Sequence, residues 1–196
     1  MRLFVAIDVP EDVRSAIGSP VAQLRGTCQN ARWARVEGLH VTLKFIGEIP
    51  AEKTEIIETA LTSVPCRASI SLRFRGLGFF PNERRPRVLW AGVQGGQELA
   101  ELAAAVDASL HPFGIPREER AYTPHLTLAR FDSPQGLDAL RAAVRKTGPL
   151  EFGGGATKEF HLYQSVLKRG GAEYTRLATF SLAETSAGTI ARRGPE

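Results

Sequence analysis

Cysteine is nearly absent, with only Cys28 and Cys66 in 196 residues. Two thiols so placed build neither a zinc framework nor a disulfide scaffold, and they read as reduced thiols of a cytosolic protein. Long apolar runs are missing too. The opening stretch Leu3–Val9 meets Asp8 and Pro10 and is too short for the apolar segment of a signal peptide. Nothing further on could span a bilayer, so the expectation is a cytoplasmic protein with no membrane partner. A strong charge bias is lacking as well: 25 basic against 21 acidic residues leave a net charge of +4. That excludes the clustered basic excess of a duplex-DNA binder but suits a phosphate-bearing substrate held at one local site. Histidine is scarce, with four residues at positions 40, 111, 125 and 161.

What remains is an ordinary globular composition. An apolar fraction of 43% is enough to build a core and excludes disorder along most of the chain. Apolar periodicity predicts a strand over Leu3–Val9 and a helix over Glu11–Arg25 that Ser19-Pro20 kinks or splits. A short strand over Ala31–Val36 comes next, then an alternating strand over Leu39–Ile46 ended by Gly47. A helix is predicted over Ala51–Val64, and strands over Ile70–Phe80 and Arg87–Val93 joined by a turn-rich loop. Then come a helix over Gln97–Leu110, a strand over Thr123–Phe131, a helix over Gly136–Lys146, and strands over Glu159–Lys168 and Tyr174–Leu182. This order is not the strict alternation of a doubly wound fold. It predicts an α+β protein with antiparallel sheets and helices outside, as one bilobal domain over 1–182 with a frayed tail over 183–196.

The chemistry lies in a repeated tetrapeptide. His40-Val41-Thr42-Leu43 and His125-Leu126-Thr127-Leu128 lie 85 residues apart, each on an apolar strand and each ahead of a helix. On a strand, residues i and i+2 share a face. Each copy therefore buries its apolar residues and presents one imidazole and one hydroxyl. Set about a pseudo-twofold axis, the two copies converge on a single cleft. Imidazole titrates near neutrality, so one ring can take a proton while the other gives one. The hydroxyls of Thr42 and Thr127 can donate to phosphate oxygens as charge grows on them. Such a site needs no metal, no cofactor and no covalent intermediate. The residues alone do not say which histidine is the acid.

Together with Arg2-Leu3-Phe4-Val5-Ala6-Ile7, the segments Leu39-His40-Val41-Thr42-Leu43-Lys44-Phe45-Ile46-Gly47 and Pro124-His125-Leu126-Thr127-Leu128-Ala129-Arg130 carry a resemblance. The sequence resembles the two-histidine (2H) phosphoesterases, and among them the RNA 2′,3′-cyclic phosphodiesterases also called 2′-5′ RNA ligases, over residues 1 to 182. It departs at Val36, where related sequences often carry proline, in a loop rather than in the chemistry. The resemblance implies a bilobal, pseudo-symmetric fold with a cleft between the lobes. It implies water attack on a 2′,3′-cyclic phosphate with a 2′-phosphate left behind. It assigns His40 as proton donor and His125 as proton acceptor, and it implies a related 2′-5′ ligation at the same site. The implied partners are single-stranded RNA ends or cyclic nucleotides, tRNA fragments among them, bound by a monomer.

Further site candidates are Arg130, Lys44 and Tyr122. Related enzymes use the position of Arg130 for phosphate contact, and a guanidinium suits phosphate. Strict alternation puts Arg130 on the face opposite His125, so it reaches the cleft only if the strand ends or bulges first. The same alternation puts Lys44 on the His40 face, toward an anionic backbone. Tyr122 is a candidate to stack on a base, whereas Phe45 is expected in the core. Arg84, Arg85 and Arg87 read as a solvated loop, Trp33 and Trp90 as core or rim, His111 as a helix-end residue and His161 as a strand residue with no catalytic role. Two rivals stand beside the RNA phosphodiesterase: a non-catalytic module binding RNA ends or nucleotides, and a 2H enzyme acting on ADP-ribose cyclic phosphate or 2′-5′ oligoadenylates.

Overall fold

The computed structural model describes residues 1–65, 69–168 and 171–182. Cys66, the Arg169-Gly170 part of the last hairpin and the expected tail over 183–196 lie outside the described residues. In chain order the elements are β1 (Arg2–Asp8), α1 (Glu11–Arg25), β2 (Arg32–Trp33), β3 (His40–Glu48), α2 (Thr54–Thr62), β4 (Ile70–Phe80), β5 (Val88–Gln94), α3 (Gly96–Leu110), β6 (His125–Arg130), α4 (Asp138–Thr147), β7 (Glu151–Thr157), β8 (Glu159–Lys168) and β9 (Gly171–Ser181). The strands form two antiparallel sheets, ordered β3-β1-β8-β9 and β2-β6-β5-β4-β7. This is the α+β architecture expected from the order of elements.

The duplication is visible in the topology. The order β1-α1-β3-α2 recurs as β5-α3-β6-α4, with β1 paired to β3 and β5 to β6. The inner faces of both units are apolar. Leu3, Val5, Ile7, Val41 and Leu43 from one and Leu89, Ala91, Leu126 and Leu128 from the other belong to one buried cluster. Each buried leucine contributes about 2 kcal/mol of transfer free energy, which fixes which face of each strand turns inward.

Three expectations are corrected. Pro20 does not split α1, which runs unbroken through it with Val13 and Ile17 before it and Val21 and Leu24 after it all buried. The strand expected over Ala31–Val36 shrinks to Arg32–Trp33, which pairs with the end of β6. The strand β7 is an addition to the expected elements. Its Gly153-Gly154-Gly155 run has poor strand propensity, yet its backbone completes the ladder along β4.

The consequential difference lies in register. Opposite β1, Thr42 pairs with Ala6 and Lys44 with Val5, leaving Leu43 as an extra residue. Opposite β5, Thr127 pairs with Trp90 and Ala129 with Leu89, leaving Leu128 as the extra residue. Both histidine strands thus carry a bulge at the same place, three residues past the histidine, and a bulge reverses the facing of the residues beyond it. Lys44 is carried inward, contrary to simple alternation. Its side chain is 5% exposed and donates to Asp107 Oδ1 on α3 and to the Pro116 carbonyl, both at 2.6 Å. Burial alone would raise the pKa of Asp107, but the Lys44, Glu118 and Arg117 hydrogen bonds hold it below the ordinary carboxylate range. Phe45, expected in the core, is instead carried outward and is 50% exposed beneath the Arg2 guanidinium.

The Lys44–Asp107 pair ties the strand of the first histidine to the segment that leads into the second. Lys44→Ala strands a partly buried carboxylate and should lower the unfolding free energy by about 3 kcal/mol, read from urea denaturation. A loss below about 1 kcal/mol, the value of an exposed pair, would contradict this role.

Candidate active site

His40 and His125 are the first residues of β3 and β6. Each ring is fixed in the same way: His40 Nδ1–H donates to the Gly38 carbonyl and His125 Nδ1–H to the Thr123 carbonyl, both at 2.8 Å. A carbonyl can only accept, so each Nδ1 carries a proton and Nε2 is left for chemistry. Aromatic rings hold the outer faces. Phe4 lies 4.6 Å from His40 and Tyr174 stands edge-on at 5.0 Å, while Phe80 stands edge-on to His125 at 4.9 Å.

The two sheets turn these faces toward each other. Burial lowers the pKa of His40 foremost; the Gly38 hydrogen bond and Asp8 oppose it, and the positive charges of Arg130 and His125 add to it. Burial likewise lowers His125, with the Thr123 bond opposing and Arg130 adding. The Arg130 guanidinium is near enough to both imidazoles to disfavour the charged form of each. The bulge at Leu128 brings it there: Arg130, placed behind the strand by alternation, emerges on the His125 face. Thr42 and Thr127 share the faces of their histidines, and neither hydroxyl has a hydrogen-bond partner among the described residues.

Two candidates from the sequence do not serve the site directly. Lys44 is spent in its buried ion pair. Tyr122 is not free to stack, because its hydroxyl donates to the Thr42 carbonyl at 3.1 Å, its ring packs against the core and burial raises its pKa. It fastens the approach to His125 onto the strand of His40. Of the loop arginines, Arg87 donates to the Asp132 carbonyl, and the backbones of Arg84 and Arg85 donate to Asn82. Trp90 lies over Gly78 and against Phe80 on the His125 face. Trp33 donates to the Cys28 carbonyl away from the cleft. His111 opens a short 3-10 turn.

Sequence reading missed Phe4, Asp8, Tyr163 and Arg176. Cross-strand register places Phe4, Asp8 and Tyr163 on the His40 face, and parity along β1 was the available signal: Phe4, Ala6 and Asp8 alternate with the buried Leu3, Val5 and Ile7. Among the described residues no group of three His, Cys, Asp or Glu side chains has the geometry of a metal site.

A family model described as the 2′-5′ RNA ligase superfamily matches residues 12–165, with both histidine strands inside it. The chain belongs to the 2′-5′ RNA ligase superfamily. Members of the superfamily similar to it include the RNA 2′,3′-cyclic phosphodiesterase of Archaeoglobus fulgidus, 36% identical over 92% of this chain and 99% of that protein. The enzyme of the same name from Methanocaldococcus jannaschii is 33% identical over 89% and 96%. Among solved structures, a protein of Thermus thermophilus superposes with a TM-score of 0.77 at 32% identity over 93% of this chain and 98% of that one. E. coli LigT complexed with 3′-AMP gives 0.73 at 27% identity over the same shares.

Tyr122→Phe keeps the ring and removes the link between the histidine strands of this superfamily member. It should cost about 1 kcal/mol of stability, measured by thermal or urea unfolding. Unchanged stability with altered KM across substrates of different base would instead favour the stacking role.

Proposed function

We propose that this protein hydrolyses 2′,3′-cyclic phosphate termini of RNA to 2′-phosphomonoesters, with His40 as proton donor and His125 as proton acceptor. The observation that carries the reading is the matched pair of imidazoles, each with Nδ1–H committed to a carbonyl and close enough for the charge of one to act on the other. The names of the curated relatives and the 3′-AMP and ATP complexes of LigT support a nucleotide substrate.

The atoms balance without a covalent intermediate. His125 Nε2 takes a proton from water as the water oxygen bonds to phosphorus. The bond from phosphorus to O3′ breaks, and His40 Nε2–H supplies the proton that O3′ requires. Thr42, Thr127 and Arg130 donate to the non-bridging oxygens as negative charge builds on them. The turnover leaves His125 protonated and His40 neutral, and exchange with solvent resets the pair. The same two groups serve 2′-5′ ligation when a hydroxyl takes the place of water. A monomer working in the cytoplasm on single-stranded ends, those of tRNA fragments included, or on cyclic nucleotides is the setting proposed. The presence of both histidines and both threonines favours an enzyme over a binding module.

His40→Ala and His125→Ala should each lower kcat about a thousandfold on a cyclic-ended oligonucleotide, with unfolding transitions close to the parent. Near-normal turnover in either variant refutes the mechanism. Burial disfavours the charged imidazoles, so each loses its proton at lower pH than an exposed histidine. Both limbs of the kcat/KM profile therefore move toward acid, and the optimum should fall below the ordinary imidazole value of about 6.5. A profile centred well above that value would contradict the buried-pair geometry.

A further inference from the structure

The two histidine strands share motif, hydrogen bonding and bulge, but the residues directly across from the histidines differ. On β1, the residue paired with His40 is Asp8. On β5, the residue paired with His125 is Gly92. Gly92 is fixed as glycine by its surroundings, since a Cβ there would come within 2.6 Å of the Arg75 carbonyl oxygen. One imidazole therefore has a carboxylate as its cross-strand neighbour, and the other has no side chain there at all.

We propose that Asp8 makes the site unequal: it is the positioning residue that keeps negative charge beside His40 alone and so gives His40 the proton delivered to the departing oxygen. This rests on the acid–base reading of the preceding subsection and supplies the choice between the histidines that their matching motifs leave open.

The carboxylate is held rather than free. The Tyr163 hydroxyl donates to Asp8 Oδ1, and Arg176 Nη2 pairs with Oδ2. Tyr163 stacks on Phe4, which in turn lies against His40, so the aromatic wall and the carboxylate are one assembly. His161, 1% exposed, places Nε2 3.7 Å from Asp8 and 3.5 Å from Glu159 while Nδ1 meets the Thr179 hydroxyl at 3.0 Å. Burial lowers the pKa of His161, with Asp8 and Glu159 opposing it.

Charged and titratable groups face His40 from several strands. Asp8 comes from β1, Tyr163 and His161 from β8, Tyr174 and Arg176 from β9, and Arg130 and His125 from β6. On β3 itself, Lys44 turns into the core. Asp8 stands on the strand next to His40, about 4.8 Å away, and Arg176 comes from the far strand of the order β3-β1-β8-β9, its guanidinium reaching across to Asp8 Oδ2. Asp8 favours the charged form of His40 against the burial and the charges of Arg130 and His125 that lower its pKa, and no carboxylate acts in this way on His125.

The test is Asp8→Asn in the full chain, with histidine C2-proton NMR titrations assigned through single His→Gln variants. The titration midpoint of His40 should move to lower pH while that of His125 stays. The alkaline limb of kcat/KM on a 2′,3′-cyclic nucleotide should move with it, so activity at pH 8 falls roughly tenfold with the acid limb unmoved. Arg176→Met keeps the carboxylate and removes its counter-ion, so it should move His40 the opposite way; it also answers the question if Asp8→Asn does not fold. An unmoved His40, equal shifts of both histidines, or movement of the acid limb overturns the proposal. If His40→Ala retains turnover while the titration asymmetry stands, the electrostatic asymmetry survives and the assignment of the proton falls with the catalytic reading.

Discussion

A surplus residue three positions past the histidine in each of two strands governs where the chemistry sits. Leu43 and Leu128 occupy the same step of two related strands, and each adds one residue against an unbulged partner. Before the bulge, histidine and threonine face the cleft. After it, facing is inverted, so the residue next to the leucine goes into the core and the one after it comes out. In β6 this buries Ala129 and delivers Arg130 to the histidines. In β3 it buries Lys44 and delivers Phe45 to the rim. The same local geometry turns an arginine outward on the histidine face in one lobe and builds a structural ion pair in the other.

Those two outcomes cooperate. A buried ammonium costs several kcal/mol unless it is paired and hydrogen-bonded. Lys44 meets that demand with Asp107 and the Pro116 carbonyl, both in the half of the chain that leads to His125. Tyr122 adds a second link, from the same approach segment to the backbone of Thr42. Polar bonds thus cross between the histidine strands beside the single apolar core that the two sheets share. Preorganisation of this kind is what acid–base catalysis requires, since misplaced groups forfeit most of the benefit of proximity.

The sequence carried the fold class, the order of nearly all elements and the facing of His40 and His125 at the start of two related strands, because those rest on alternation and on a motif repeated in two separated strands. Thr42 and Thr127 were legible for the same reason. What escaped it was decided by tertiary context. Alternation cannot foresee a bulge, so Lys44 and Phe45 were assigned the wrong faces, and Arg130 could be admitted only conditionally. A glycine run hid β7, whose ladder is stabilised by its neighbour rather than by its own propensity. Asp8 comes from the first strand and Tyr163 and Arg176 from the last hairpin, and only the order of the sheet brings them to His40.

The central claim is that two imidazoles from separate lobes act on one phosphorus. It is tested most directly by incubating the protein with an oligoribonucleotide ending in a 2′,3′-cyclic phosphate, without added metal, and determining which hydroxyl keeps the phosphoryl group. The account predicts a single 2′-phosphomonoester with a free 3′-hydroxyl. A 3′-phosphomonoester, a mixture of the two, or an unreacted cyclic end would contradict it.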